Sequence, residues 1–175
     1  MFARLRTLIR DVPDFPKPGI VFKDITPLLR DPAALSLAVE YLAQPFRGIP
    51  IDAVAGAESR GFIFAMAVAD KLSAGFVPIR KPGRLPCATT SHDYELEYGT
   101  DRLEIHADAF KPADRVLLVD DLLATGGTMA ACCRLVESLG ATIVGVAVLL
   151  ELTHLGGRTR IGDQPIHSIL KYGAP

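Results

Sequence analysis

RVLLVDDLLATGGTM, Arg115 to Met129, is the stretch on which the reading of this chain turns. Val116, Leu117, Leu118 and Val119 form an aliphatic run, Asp120 and Asp121 end it, a turn is predicted over Leu122 to Thr125, and Gly126-Gly127-Thr128 steps into a segment of helical period. A short apolar run bounded by polar residues suits a strand covered on both faces, as in a parallel sheet. In such sheets ligands bind outside the carboxyl ends of the strands. Small residues with free N–H groups at a helix start form a phosphate pocket, whereas paired carboxylates repel an anion. A ligand that satisfies both carries a phosphate at one end and hydroxyl donors a few ångströms away, as a phosphorylated ribose does.

The commoner phosphate loops, G-x-x-x-x-G-K-[ST] and G-x-G-x-x-G after a strand, are not present. Four aliphatics, Asp-Asp and Ala-Thr-Gly-Gly-Thr resemble instead the 5-phosphoribosyl-1-pyrophosphate (PRPP) motif of the type I phosphoribosyltransferases. The competing reading is an ordinary strand-turn-helix with acidic surface residues, although adjacent carboxylates gain nothing from each other structurally.

At 175 residues the chain is expected to form one domain with a real core. Hydrophobic residues at 49% and charged residues at 22% place it among folded globular proteins. Nineteen basic against twenty acidic residues argue against a general nucleic-acid surface. No apolar run has the length of a membrane span, and Arg10 and Asp11 interrupt the N-terminus too early for a signal peptide, so the expected location is the cytoplasm. Cys87, Cys132 and Cys133 lack metal-site spacing and read as reduced thiols, with Cys133 in the core.

Along the chain, residues 2 to 9 suggest a weak amphipathic helix, and Pro13, Pro16, Pro18 and Gly19 an irregular segment. Asp31 is a predicted N-cap, with Pro32 at the first helical position and Leu35, Val39 and Leu42 on one face. Ile51 to Ala57 reads as a buried strand, Ser59 to Leu72 as a helix stopped near Gly75, and Phe76 to Ile79 as a strand. Lys81 to Thr100 is irregular, ending in alternating runs, Tyr94 to Tyr98 and Arg102 to His106, around a turn at Gly99-Thr100. Such an insertion suits a lid. In the following helix Met129, Cys133, Val136 and Leu139 share a face, with Gly140 as C-cap; Thr142 to Leu150 and Ile166 to Leu170 read as strands. The alternation predicts an α/β scaffold with a mainly parallel central sheet flanked by helices.

Two further loops carry chemistry. Glu58-Ser59-Arg60-Gly61 follows the strand AVAGA, again at a helix start. Arg80, Lys81 and Arg84 follow the strand FVPI. Four cations with only Glu58 nearby in sequence read as an uncompensated cluster suited to a pyrophosphate and its Mg²⁺; the alternative is a solvated basic turn. Ala124, Thr125, Gly126, Gly127 and Thr128 would then hold the 5-phosphate, and Asp120 and Asp121 the ribose diol. Breaking the C1′–O bond develops positive charge on the ribose ring, which the two carboxylates stabilise.

The segment FPKPGIVFKDITPLL, Phe15 to Leu29, resembles the N-terminal hood of the adenine phosphoribosyltransferases; so do Leu96-Glu97-Tyr98-Gly99 and ELTHLGGR, Glu151 to Arg158. With VDDLLATGGT the resemblance runs from about Asp14 to Arg158. It implies the type I phosphoribosyltransferase fold, a hood over residues 1–30 and a hairpin lid over 81–106. It also implies Val21, Phe22 and Lys23 as the adenine slot, and Glu97 near purine N7, exchanging a proton as N9 attacks. Tyr98 would cover the closed site, and Arg80 with Lys81 would reach pyrophosphate in the partner subunit of a homodimer. Substrates and products would be adenine, PRPP, AMP and pyrophosphate, with Mg²⁺ bound mainly through PRPP and no direct protein ligand. Without the resemblance, Glu97 reads as a solvent-facing hairpin residue. Two positions depart from the family pattern: Glu58 where Asp is common, and Lys23 where Arg is frequent. His92, His106, His154 and His167 have no common spacing and read as surface or satisfied core residues. The alternatives are a phosphoribosyltransferase for another purine base and a PRPP-sensing regulatory protein. A response regulator would put its acidic pair on the first strand.

Overall fold

The computed structural model describes residues 2–95 and 100–174. After a short helix, α1 (Phe2–Thr7), strands β1 (Arg10–Pro13) and β2 (Val21–Asp24) pair antiparallel, with Arg10 opposite Asp24 and Pro13 opposite Val21. The run expected to be irregular is therefore a hairpin. Its prolines lie at a strand end and in the connection, where no ladder N–H is required. Asp14 Oδ1 accepts the Gly19 N–H at 2.8 Å, and Gly19 turns the chain at φ +85°. A short helix, α2 (Thr26–Arg30), also lies in that run. The next helix, α3 (Pro32–Ala43), starts as predicted: the Asp31 carboxylate accepts the Ala33 and Ala34 amides, and Pro32 needs no N–H partner there.

Beyond it, strands and helices alternate: β3 (Ala53–Ala57), α4 (Arg60–Leu72), β4 (Gly75–Ile79), the hairpin β5 (Thr89–Glu95) and β6 (Thr100–His106), β7 (Arg115–Leu123), α5 (Gly127–Ser138), β8 (Thr142–Leu152), α6 (Gly157–Ile161) and β9 (Ile166–Tyr172). The main sheet has the order β4-β3-β7-β8-β9, and every neighbouring pair is parallel. Leu117 and Val119 of β7 pack with Ala38, Leu42, Phe64 and Val68 of α3 and α4. Val116 and Leu118 pack with Met129, Leu135 and Val136 of α5 and with Leu103 and Ile105 of the hairpin. Coverage on both faces explains why β7 is apolar at consecutive positions.

Three local expectations change. Strand β7 does not stop before Leu122: Leu122 and Leu123 stay in register with Leu150 and Glu151, because β8 is eleven residues long and offers partners to the end. Helix α4 ends at Ser73, which takes the left-handed conformation at φ +54°, and Gly75 begins β4 instead. Thr100 belongs to a strand, opposite Glu95, so the turn does not include it. Leu96, Glu97, Tyr98 and Gly99 lie outside the described residues. All three cysteines are free; Cys87 is exposed, and both Cys132 and Cys133 are buried.

The strand order reverses between β3 and β7, since β3 leads through α4 to β4 on one side and β7 through α5 to β8 on the other. Loops that diverge from adjacent parallel strands open a crevice at their carboxyl ends. The first two chemical loops of the sequence meet there.

Candidate active site

The crevice is a cavity of about 350 Å³ lined by residues 58–60 after β3 and residues 120–129 from β7 into α5. That volume lies at the small end of ligand pockets, roughly 300–1,000 Å³. Asp120 and Asp121 are both buried, within the last half of β7. Asp120 Oδ1 accepts the Asp121 N–H at 2.8 Å. A Cβ on Gly61 would lie 2.7 Å from that same oxygen, so glycine lets the first turn of α4 press against the carboxylate.

Arg60 Nε stands 2.9 Å from Asp121 Oδ2. The charges attract, but the N–H is not aligned, and this buried oxygen has no hydrogen-bond partner among the described residues. An unsatisfied buried acceptor is costly, and a sugar hydroxyl is a donor of the right kind. Burial raises the Asp120 carboxyl well above its ordinary value, with the neighbouring Asp121 charge adding to the effect. Burial raises Asp121 too, against the pull of Arg60.

Gly126, at φ +83°, turns the chain from β7 into α5 and precedes its first helical residue, with no side chain capping the helix. Ala124 to Thr128 thus presents small residues and N-terminal amides to the cavity, where an anion is favoured. The acids and amides foreseen in Asp120–Thr128 line one wall; Glu58, Ser59 and Arg60 line the other.

The remaining cations differ from expectation. Glu58 accepts the Lys81 backbone N–H, and its Oε2 lies 3.2 Å from Arg80 Nη2. Burial works against the Glu58 charge, but the Lys81 amide and Arg80 outweigh it and lower its pKa, with Arg84 adding to the attraction. The Lys81 ammonium pairs with Asp101, which also accepts the Tyr94 hydroxyl at 3.2 Å. Burial raises the pKa of the Tyr94 hydroxyl, while Thr128, in loop 124–128, works against the rise. Arg80 and Glu104 form an antiparallel bridge, and Glu104 Oε2 accepts the Gly83 N–H at 3.1 Å. Two of the cluster's cations are therefore compensated by acids twenty or more residues away: Arg80 by Glu58, which follows β3, and Lys81 by Asp101 of the hairpin. Tyr94 and Asp101 were missed because alternation in a strand marks which residues face inward, not what they meet.

Phe22 joins this site through Arg60, whose guanidinium lies 5.0 Å from the ring centroid; Phe15 meets Phe22 edge-on at 5.2 Å. The Lys23 ammonium is 2.6 Å from Asp11 and lies 4.5 Å from the Tyr172 ring centroid. Val21 and Lys23 line a second cavity, of about 520 Å³, with Leu152, Leu155 and Tyr172. Glu97 and Tyr98 fall in the connection outside the described residues. His167 bonds the Tyr41 carbonyl at 3.1 Å, and no cluster of three or more metal-ligating residues occurs among the described residues.

Known proteins resemble this chain closely. The phosphoribosyl transferase domain family matches residues 25–168. The adenine phosphoribosyltransferase of Methylococcus capsulatus is 59% identical over 97% of this chain and 99% of its own length. That of Symbiobacterium thermophilum is 58% identical over 95% and 98%. Among solved structures, adenine phosphoribosyltransferase from Thermoanaerobacter pseudethanolicus superposes with TM-score 0.96 at 50% identity, covering 98% of this chain and 100% of that one. The Giardia lamblia enzyme complexed with 9-deazaadenine gives 0.92 at 38% identity, covering 97% of each chain. The Trypanosoma brucei enzyme, in complex with AMP, pyrophosphate and ribose-5-phosphate, gives 0.89 at 27%, covering 97% of this chain and 78% of that one.

Proposed function

The chain belongs to the adenine phosphoribosyltransferase family, and from that premise we propose that it transfers the 5-phosphoribosyl group of PRPP to N9 of adenine, giving AMP and pyrophosphate in purine salvage. One observation supports this chemistry above the rest: a buried acid pair, with Asp121 Oδ2 short of a hydrogen bond, shares a cavity with the uncapped start of α5. The amides of Ala124–Thr128 bind the 5-phosphate, and Asp120 and Asp121 take the ribose hydroxyls. As the C1′–O bond lengthens, the ring becomes oxocarbenium-like, and the carboxylates stabilise it. The N9 lone pair forms the new bond from the opposite face, with inversion, while the electrons of the broken bond leave on pyrophosphate.

Arg60 sits between the acid pair and Phe22, which supports a base stacked by Phe22 above the ribose. Val21 and Lys23 read the adenine edge through backbone groups, since the Lys23 side chain is committed to Asp11. Glu97 accepts the proton released as N9 bonds, and Tyr98 closes the site against water that would hydrolyse the ring cation. Glu58, Ser59, Arg60, Arg80, Lys81 and Arg84 form the pyrophosphate wall. Two adjacent carboxylates are too few for a protein cage around Mg²⁺, which prefers an octahedron with several waters; they fit an ion bound mainly through PRPP oxygens. When bound there, Mg²⁺ neutralises leaving-group charge. The protein acts as a cytoplasmic homodimer in this reading, supported by exposed Ile63 and Met66 on α4, and Arg80 and Lys81 reach the partner's site.

The test is pyrophosphate release with adenine, PRPP and Mg²⁺, and none when any one is omitted. On a panel of bases adenine should lead; faster turnover of hypoxanthine or guanine would reassign the base. Binding of PRPP without turnover of any base would make the protein a sensor.

A further inference from the structure

The motif ELTHLGGR has no role in the transfer described above, yet its residues meet the phosphate loop from behind. Glu151, buried on β8, lies in register with Leu123 of β7. Arg158 of α6 donates Nε to Glu151 Oε1 at 2.6 Å and Nη2 to Oε2 at 2.8 Å, a two-pronged charged fork. Its Nη2 also reaches Ser168 Oγ on β9 at 3.1 Å, its Nη1 the Ile166 carbonyl at 3.3 Å, and Ser168 donates to Glu151. The fork ties α6 to two strands of the sheet.

Gly157, next to Arg158, is where α6 touches the site. A Cβ there would lie 2.3 Å from the Ala124 carbonyl oxygen and 3.1 Å from the Gly126 nitrogen. Reciprocally, a Cβ on Gly126 would lie 2.3 Å from the Gly157 carbonyl oxygen. The two backbones are in direct contact, with no side chain between them. The phosphate loop cannot relax outward without moving Gly157, and Gly157 cannot move without disturbing the fork.

We propose that Gly157, fixed by the Glu151–Arg158–Ser168 fork, is a positioning residue that holds loop 124–128 in the shape that binds the 5-phosphate. The proposal rests on the reading of that loop as the phosphate site. Fixed donors bind and catalyse better than donors that must be ordered at each encounter.

The experiment measures ribose 5-phosphate and pyrophosphate affinity by calorimetry, with steady-state kinetics, in the full-length chain. In Gly157→Ala, the Kd for ribose 5-phosphate and the KM for PRPP should rise about tenfold, as a misplacement of around an ångström can bring. Pyrophosphate affinity and the KM for adenine should stay within about twofold, the scale of an undisturbed site. Arg158→Met should reproduce that pattern and Arg158→Lys should recover part of it, which keeps the test open if Gly157→Ala does not fold. Wild-type ribose 5-phosphate affinity in Gly157→Ala, or an equal loss of every ligand in all variants, overturns the proposal. Failure of the unmodified chain to bind ribose 5-phosphate would instead remove the phosphate-site reading, and the proposal with it.

Discussion

The two walls of the crevice are built on opposite principles. The wall after β7 is made of the sheet itself: its carboxylates are buried in a strand paired on both sides, and its amides start a twelve-residue helix. The wall formed by residues 58–60 leads through Glu58 to partly exposed cations beside the crevice that are held by acids, Arg80 by Glu58 and Lys81 by Asp101 of the hairpin. The first is preorganised and carries its cost as an unmet hydrogen bond and raised carboxyl pKa values. The second is already paired, and a phosphate binding there would exchange those protein partners for its own oxygens. Rigid donors suit the part of the substrate that stays bound through the reaction. Exchangeable cations suit the part that leaves.

Breaking the rigid wall should have the largest effect. Asp121→Ala removes one of the two acids proposed to take the ribose hydroxyls, and kcat/KM for PRPP should fall about 10²–10³-fold, the scale of losing one transition-state stabiliser. Unchanged kcat/KM would dissociate the acid pair from the chemistry. Glu97→Gln should lower kcat about 10–10²-fold with little change in PRPP affinity, as expected for a lost proton acceptor; full turnover in that variant excludes Glu97 from proton transfer.

Gly61→Ala sharpens the comparison by driving a methyl group into the Asp120 carboxylate. Overpacking of this kind costs about 1–3 kcal/mol, and denaturant unfolding should show it together with weakened PRPP binding. On the exchangeable wall, Asp101→Asn frees Lys81 and should change the KM for PRPP only about two- to fivefold, the range of a partly exposed ion pair. A hundredfold effect there would mean that the second wall is as fixed as the first.

The smallest effect is on stability against pH. A carboxyl whose folded pKa is raised binds more protons folded than unfolded between its ordinary value near 3.8 and the raised one, so its contribution to stability declines as pH rises through that window. Asp120→Asn removes this term. Relative to wild type without ligand, the variant should gain a few degrees in Tm at neutral pH and lose that advantage near pH 4. A wild-type advantage that grows with pH would contradict a pair destabilised by its own burial.

The parallel sheet, the Asp31 cap and the glycine-rich start of α5 were legible because each rests on local rules: consecutive aliphatics, an Asp-Pro step, small residues before a helical period. The β1–β2 hairpin was not, because prolines in its connection mask strands whose pairing partners lie eight to fourteen residues away. The compensation of Lys81 by Asp101 was equally hidden, since nothing in either residue's neighbourhood names the other.

By itself, the sequence determined the type of chemistry, because two carboxylates after an aliphatic run, followed by a glycine-rich helix start, suit few ligands. Only the tertiary structure decided which of those groups are short of partners and which are already paired. Hydrogen-bond satisfaction is settled by residues distant in the chain, and the reversal of strand order between β3 and β7 is what brings them together.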